Sequence, residues 1–257
     1  FVWGWWAAGP AGAAVATQDV EVQGEYLGFT MTPKDGCVVS RYGLLASPGD
    51  YAGDYGMLLE GFGVGSPYVP SRRLNERLET DDSVAGRPVL RYSYDCDGAN
   101  IRGLHVTRTV EAFPNEASLL VRWRIEHKGA ERQWVTPWVR NDAVPGGNFT
   151  PESHVDVPTL NGLERARRMG YFPASRNWVA ATDPVSRVAV CGVFNAEHTH
   201  SFLTLWDGDG RRSGFHTAFV PRLMNPGDVW ETVYRINAVR GLTHVDFAAE
   251  ELAGQLD

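Results

Sequence analysis

The chain has 257 residues, of which 43% are hydrophobic and 21% are charged, and its formal net charge is -7. This length and this apolar fraction suit a single globular domain with a substantial core. The negative balance argues against a nucleic-acid partner, because phosphate binding requires a basic face.

The N-terminal segment is apolar and rich in Ala, Gly and Trp, and it ends in Ala14-Val15-Ala16. That ending is typical of a signal-peptidase site, so we expect an exported protein, secreted or periplasmic. No basic residues precede the apolar stretch, which favours a retained arm over residues 1–17. Gly and Pro interrupt it, and we expect no membrane span, which needs ~20 apolar residues.

One helical segment of one or two turns is predicted over Ser71–Leu78. Strand patterns then dominate. Residues of alternating polarity, typical of half-buried antiparallel strands, occupy Val89–Tyr94, Ile101–Val110, Ser118–Glu126 and Val229–Val239. Val188–Phe194 is continuously apolar, as in a strand that is covered on both faces.

A short terminal helix is predicted over Val245–Leu256, which is rich in Ala, Glu and Leu. Clusters of Gly, Pro, Asn and Asp between the strands favour turns, and no linker interrupts the chain. We therefore expect an all-β fold, a large antiparallel β-sandwich with few short helices. A single domain would cover residues 1–257, with residues 1–17 as the apolar arm.

The three cysteines, Cys37, Cys96 and Cys191, are far apart and form no CxxC pair. Their spacing argues against a zinc ribbon or a redox motif. We expect three buried side chains that behave as small apolar residues.

Three parts of the chain resemble one known fold family. They are Asn100–Glu126, Trp134–Asn141 and Leu223–Ile236, the last with a Pro-Gly-acid-x-Trp turn before its strand. These segments are similar to the galactose-mutarotase-like supersandwich, found in aldose epimerases, polysaccharide lyases and accessory domains of glycoside hydrolases. The resemblance implies a concave sheet face that accepts a sugar. It does not extend to the epimerase signature, because the glutamate–proline motif and the residues expected around His105 are absent.

Two short motifs place ionisable side chains two residues apart: His198 and His200 in Glu197-His198-Thr199-His200, and His154 and Asp156 in His154-Val155-Asp156. On a strand, residues two apart share a face. His154, His198 and His200 are therefore candidate acid/base residues, and Glu197 a candidate contact to substrate. A metal site or locally bonded loop-edge side chains remain the alternatives. We expect neither a metal nor a cofactor.

A second candidate site lies in Trp138-Val139-Arg140-Asn141-Asp142, at the end of a predicted strand. Arg140, Asn141 and Asp142 offer the polar contacts that sugar hydroxyls need. Trp138 offers a ring for stacking, as Trp178 and Trp206 also do. A structural network at the end of the strand is the alternative.

The leading interpretation is a carbohydrate-interacting domain of an exported protein, binding or accessory rather than fully catalytic, with a poly- or oligosaccharide as partner. An epimerase-like or lyase-like enzyme that uses the three histidines is the first alternative. No nucleophile elbow, P-loop or HExxH motif points to another reaction. A structural protein that self-assembles as a homo-oligomer through its Trp-rich N-terminus is the second alternative.

Overall fold

The computed structural model describes residues 14–33, 36–47, 49–63, 73–81, 88–98, 101–112, 116–241 and 245–254. The first ten strands are β1 (Ala14–Ala16), β2 (Val20–Gln23), β3 (Leu27–Thr32), β4 (Val38–Leu44), β5 (Leu59–Phe62), β6 (Arg73–Asp81), β7 (Val89–Cys96), β8 (Leu104–Ala112), β9 (Ser118–His127) and β10 (Gln133–Val135). The other ten are β11 (Pro137–Asp142), β12 (His154–Thr159), β13 (Gly162–Ala166), β14 (Gly170–Pro173), β15 (Trp178–Asp183), β16 (Val188–Phe194), β17 (Thr199–Asp207), β18 (Arg212–Phe219), β19 (Arg222–Met224) and β20 (Val229–Arg240). One helix, α1 (Asp246–Gly254), follows them.

The strands form two large sheets and two small ones. The ten-stranded sheet has the order β1-β6-β7-β8-β9-β20-β16-β15-β12-β13, and the five-stranded sheet has the order β14-β17-β18-β11-β5. A three-stranded sheet, β2-β3-β4, and the pair β10-β19 complete the fold. Neighbouring strands in all four sheets are antiparallel. The all-β sandwich prediction is confirmed.

The inner faces of the two large sheets pack on each other through aromatic side chains. Trp123 of the ten-stranded sheet lies 5.6 Å, centroid to centroid, from Phe219 of the five-stranded sheet. Phe194 and Phe215 make a similar contact across the sheets at 6.5 Å. Ring contacts of this kind add specific geometry to the burial of apolar area. The predicted strands supply Trp123 and Phe194, whereas Phe215 and Phe219 belong to β18, which the sequence analysis did not predict.

The position of strand β16 explains why its sequence is continuously apolar. All seven of its residues are buried. One face joins the main core, and on the other face Cys191 packs in a second apolar cluster with Ala249 and Ala253 of α1. The terminal helix, which the sequence also predicted, thus covers one end of the ten-stranded sheet.

The helix predicted over Ser71–Leu78 is wrong where the structure describes this segment. Arg73–Asp81 is strand β6, which pairs with β1 on one side and β7 on the other. Leu78 is buried while Glu76 and Arg77 are exposed. Pairing with two neighbouring strands satisfies the backbone and overrides a weak local helix preference.

A buried ion pair joins the two large sheets. Arg108 of β8 and Glu60 of β5 are both 0% exposed, and Arg108 Nη1 lies 3.1 Å from Glu60 Oε1. Burial raises the pKa of Glu60, and the charges of Arg108 and Arg73 oppose that rise. Tyr94 donates its hydroxyl proton to Glu60 Oε2 at 3.3 Å. The carboxylate is thereby compensated inside the core.

Two backbone carbonyls complete the surroundings of Arg108. Its guanidinium donates to Leu58 O at 2.5 Å and to Cys37 O. Leu58 and Cys37 both adopt left-handed backbone conformations, with φ of 59° and 53°. Such conformations are costly for residues other than glycine, so surrounding interactions must hold them. The arginine satisfies the carbonyls that these two residues direct into the core.

The cysteines agree with the expectation of buried apolar side chains. All three are unpaired and buried. Burial raises the pKa of Cys37 and Cys96 to about 12, so both remain thiols at neutral pH.

Only the end of the proposed N-terminal arm falls among the described residues. Ala14–Ala16 forms β1 at the edge of the ten-stranded sheet, where it pairs with Leu78–Thr80. Residues 1–13 lie outside the described ranges. No described helix has both the length and the apolar character needed to cross a bilayer.

The buried ion pair predicts a specific pattern of stability. Arg108→Met leaves Glu60 uncompensated in the core, and we expect it to lower the free energy of unfolding by about 3–5 kcal/mol. Glu60→Leu combined with Arg108→Met removes both charges and should recover part of that loss. Denaturant unfolding of the wild type, both single variants and the double variant measures the coupling. Additive losses in the double variant would contradict a coupled pair.

Candidate functional site

The outer face of the five-stranded sheet carries the candidate site. Along β11, Val139 and Asn141 are 0% exposed and face the core, whereas Trp138, Arg140 and Asp142 alternate with them on the outer face, where Asp142 is covered and only 3% exposed. We call the outward set the platform. It comprises Tyr55, Trp138, Arg140, Asp142, Arg212 and His216.

Trp138 and His216 form a stacked pair at the centre of the platform. Their ring centroids are 5.4 Å apart and their planes differ by 9°. His216 lies on β18, directly opposite Arg140 in the strand register. On the other side of β11, Trp138 lies opposite Gly61 of β5. A Cβ atom on Gly61 would come within 2.1 Å of Trp138 Cζ2, so only glycine lets the indole lie over this strand.

Arg140 and Asp142 form a two-bond ion pair beside the stacked rings. Arg140 Nε and Nη2 donate to the two carboxylate oxygens of Asp142 at 2.6 and 2.8 Å. The guanidinium Cζ lies 4.4 Å from the ring centroid of Tyr55, which is 47% exposed. Because the planar fork matches a carboxylate and the cation lies over an aromatic ring, the positions of both side chains are well fixed.

The charge states of the platform follow from burial and from its arginines. Burial and the positive charge of Arg140 lower the pKa of His216 to about 3, so its imidazole is neutral at physiological pH. Its Nε2 atom is buried and has no hydrogen-bond partner among the described residues. Burial raises the pKa of Asp142, and Arg140, the Tyr55 backbone N–H and Arg212 oppose that rise.

His200 lies near the far edge of the same sheet. Its Nδ1 is 3.1 Å from the Tyr171 hydroxyl and 3.0 Å from Ser201 Oγ. Tyr171 is opposite Leu203 in the register, and Leu203 is opposite His216. Two strand spacings, about 10 Å, therefore separate Tyr171 from His216.

His198 has different surroundings. Its Nδ1 lies 3.0 Å from Thr232 Oγ1, and its ring centroid lies 5.5 Å from that of Trp230. Both partners belong to β20 of the ten-stranded sheet. Burial and the nearby Arg222 lower the pKa of His198. Its neighbour Glu197 is exposed.

His154 belongs to a third environment, on β12. Its Nε2 lies 3.3 Å from Asp156 Oδ1, and its Nδ1 lies 2.9 Å from Glu152 O. Thr182 donates to the other oxygen of Asp156 at 2.6 Å. The three candidate histidines thus have separate contact partners, and the structure does not bring them together. No described cluster of three or more His, Cys, Asp or Glu residues could hold a metal ion.

Three other side chains that were predicted to contact the substrate form hydrogen bonds within the fold. Trp178 is buried beneath α1 and donates its Nε1 proton to Glu250 at 2.9 Å. Trp206 donates to Ser153 O at 2.8 Å. Asn141 accepts the backbone N–H of Leu58 at 3.0 Å through Oδ1.

Sequence reasoning missed Tyr55, Arg212 and His216. Tyr55 belongs to a turn before β5, and the other two lie on β18, more than 70 residues from β11 in the chain. Only the pairing of β11 with β18 brings them beside Trp138 and Arg140. The glycine at position 61, within an otherwise bulky strand, was the one available signal of a close approach.

The network around His154 predicts a pH-dependent stability. Burial opposes protonation, but the Asp156 carboxylate and the Glu152 carbonyl outweigh it and raise the pKa of His154. The resulting stabilisation is full below the unfolded-state value of about 6.5 and is lost as pH rises through the folded-state pKa. His154→Gln should abolish this loss, measured by denaturant unfolding from pH 5.5 to 8.5. His200→Gln, which changes an exposed histidine, serves as the control and should keep the wild-type profile. An unchanged profile in His154→Gln would contradict the assignment.

Comparisons with known proteins give no match at the sequence level. No family model matches the chain, and no curated protein matches it. Solved structures do match. A putative aldose 1-epimerase from Klebsiella pneumoniae superposes with a TM-score of 0.65 at 8% identity, over 90% of this chain and 81% of that one.

A galactose mutarotase-like protein from Clostridium acetobutylicum gives a TM-score of 0.64 at 7% identity, over 90% of this chain and 99% of that one. An α-galactosidase from Geobacillus stearothermophilus gives 0.53 at 14% identity, over 88% of this chain. The chain spans 41% of that α-galactosidase and 47% of a TPR-domain protein from Parabacteroides distasonis that it also resembles. These likenesses show that the chain has the galactose-mutarotase-like fold.

Proposed function

We propose that this protein binds carbohydrate on the platform, as a binding or accessory domain of an exported protein. The observation that carries the proposal is the stacked Trp138–His216 pair, together with the half-exposed ring of Tyr55 that packs on the neighbouring Arg140. A pyranose presents an apolar C–H face and a rim of hydroxyls. The platform offers a matching combination of flat rings and fixed polar groups.

The polar groups are already positioned before any ligand arrives. The Arg140–Asp142 pair holds its geometry through two hydrogen bonds. The imidazole of His216 is neutral and stacks on the indole of Trp138, which supports the orientation of that ring. Because little side-chain freedom would be lost on binding, the entropic cost of association is reduced.

Several similar structures support a carbohydrate partner. They include proteins described as an aldose 1-epimerase, a galactose mutarotase-like protein and an α-galactosidase. Their identity to this chain is low, so the ligand is inferred from the platform chemistry together with the fold.

Binding has more support than catalysis. The histidines of the enzyme alternative contact different elements: β12 for His154, β20 for His198 and β14 for His200. General acid–base catalysis needs its groups within hydrogen-bond reach of one substrate. On the platform, Asp142 is paired with Arg140, and His216 stays unprotonated at neutral pH, so neither is poised as a proton donor.

Export and assembly through the N-terminal segment stay predictions. Light scattering of the full chain and of a variant without the N-terminal segment would test assembly. A monomeric molar mass for both proteins would count against it.

Trp138→Ala should weaken sugar binding by about tenfold or more, because it removes the central ring of the platform. Calorimetric titration against a panel of neutral and acidic oligosaccharides measures the loss. Trp134→Ala is the matched control, since Trp134 is 66% exposed on β10, outside the platform. Absence of binding by the wild-type protein across the panel would overturn the proposal, as would equal losses in the two variants.

Gly61→Ala tests the same site without removing any ring. The added Cβ would collide with Trp138 and must shift the indole, so we expect weaker sugar binding. Gly254→Ala is the control, because a Cβ there meets nothing within 4 Å. Unchanged sugar affinity in Gly61→Ala would show that the position of Trp138 does not matter for binding.

A further inference from the structure

Arg212 adds a second guanidinium to the platform. It lies on the same face of β18 as His216, four residues away. Its Cζ is 5.5 Å from the ring centroid of Tyr55, the ring that Arg140 also approaches. Two cations therefore flank one half-exposed tyrosine.

The two arginines differ in how their charge is balanced. The fork of Arg140 is occupied by Asp142. Arg212, in contrast, is exposed and has no carboxylate within 4 Å among the residues that the structure describes. Asp207 is directly opposite Arg212 in the β17–β18 hairpin. Its carboxylate instead accepts the N–H groups of Asp209 and Gly210 in the turn, at 3.1 and 3.0 Å.

Among its own six side chains the platform has two cations, Arg140 and Arg212, and one anion, Asp142, in a protein whose net charge is -7. Asp142 offsets Arg140, His216 contributes no charge, and the charge of Arg212 is left over. A free guanidinium binds carboxylate and phosphate groups through its planar fork better than it binds hydroxyls.

We propose that the platform selects an acidic sugar, with its carboxylate or phosphate on Arg212 and its ring over Trp138 and Tyr55. This inference rests on the proposed function and names the class of ligand. A charge-assisted pair at a partly exposed position strengthens binding by about tenfold. The preference should weaken as salt concentration rises, because exposed charges are screened.

The test compares neutral sugars with their acidic counterparts. Glucose and galactose, their uronates and their 6-phosphates are titrated against the full chain at fixed ionic strength. We expect at least one acidic form to bind about tenfold more tightly than its neutral parent. The uronate and phosphate series identify which acidic group the site prefers.

Variants at neighbouring arginines complete the test. Arg212→Gln should bring the acidic sugar to the affinity of its neutral parent, while Arg211→Gln, an exposed neighbour outside the platform, should keep the preference. Equal binding of neutral and acidic sugars by the wild type would overturn this inference and leave the proposed function intact. If the wild-type protein bound no sugar in any series, both this inference and the proposed function would be overturned.

Discussion

The Arg108–Glu60 pair is the constraint on which the arrangement of the two large sheets depends. Both charges are fully buried, and each comes from a different sheet. A charge in the core is tolerated only with its partner in place, so β5 and β8 must meet in one relative position. Sliding either strand by a residue would turn a charge to the other face and leave its partner uncompensated.

The same ion pair also affects the platform, because successive side chains of a strand point to opposite faces of the sheet. Glu60 faces the core opposite Val139, and the next residue, Gly61, faces outward beneath Trp138. The ion pair that fixes β5 therefore also fixes the surface on which the indole rests. Asn141 adds a second link, because it bonds the backbone of Leu58, whose carbonyl accepts from Arg108. Core and platform are held by opposite faces of the same two strands.

Our proposal of ligand binding, rather than proton transfer, follows from the protonation states of the platform. Groups that change protonation state near neutral pH are the usual agents of acid–base chemistry. On the platform the histidine is held neutral and the carboxylate is paired with Arg140, while the ring of Tyr55 and the guanidinium of Arg212 are exposed. The fold is shared with proteins described as epimerases and glycosidases, but a fold can host unrelated functions. The inference about the chemical class of the ligand therefore rests on these side chains.

The sequence by itself determined the all-β class, the terminal helix and five of the strands, β7, β8, β9, β16 and β20, because residue patterning and turn residues are local properties. It also identified Trp138, Arg140 and Asp142 as candidate site residues, together with Asn141, which the structure places on the core face. It failed over Arg73–Asp81, where pairing with β1 and β7 overrode a local helix signal. Only the tertiary structure decided that His216, Arg212 and Tyr55 join this face and that the three predicted histidines do not meet. Strand order and register depend on contacts between distant residues, which no local pattern encodes.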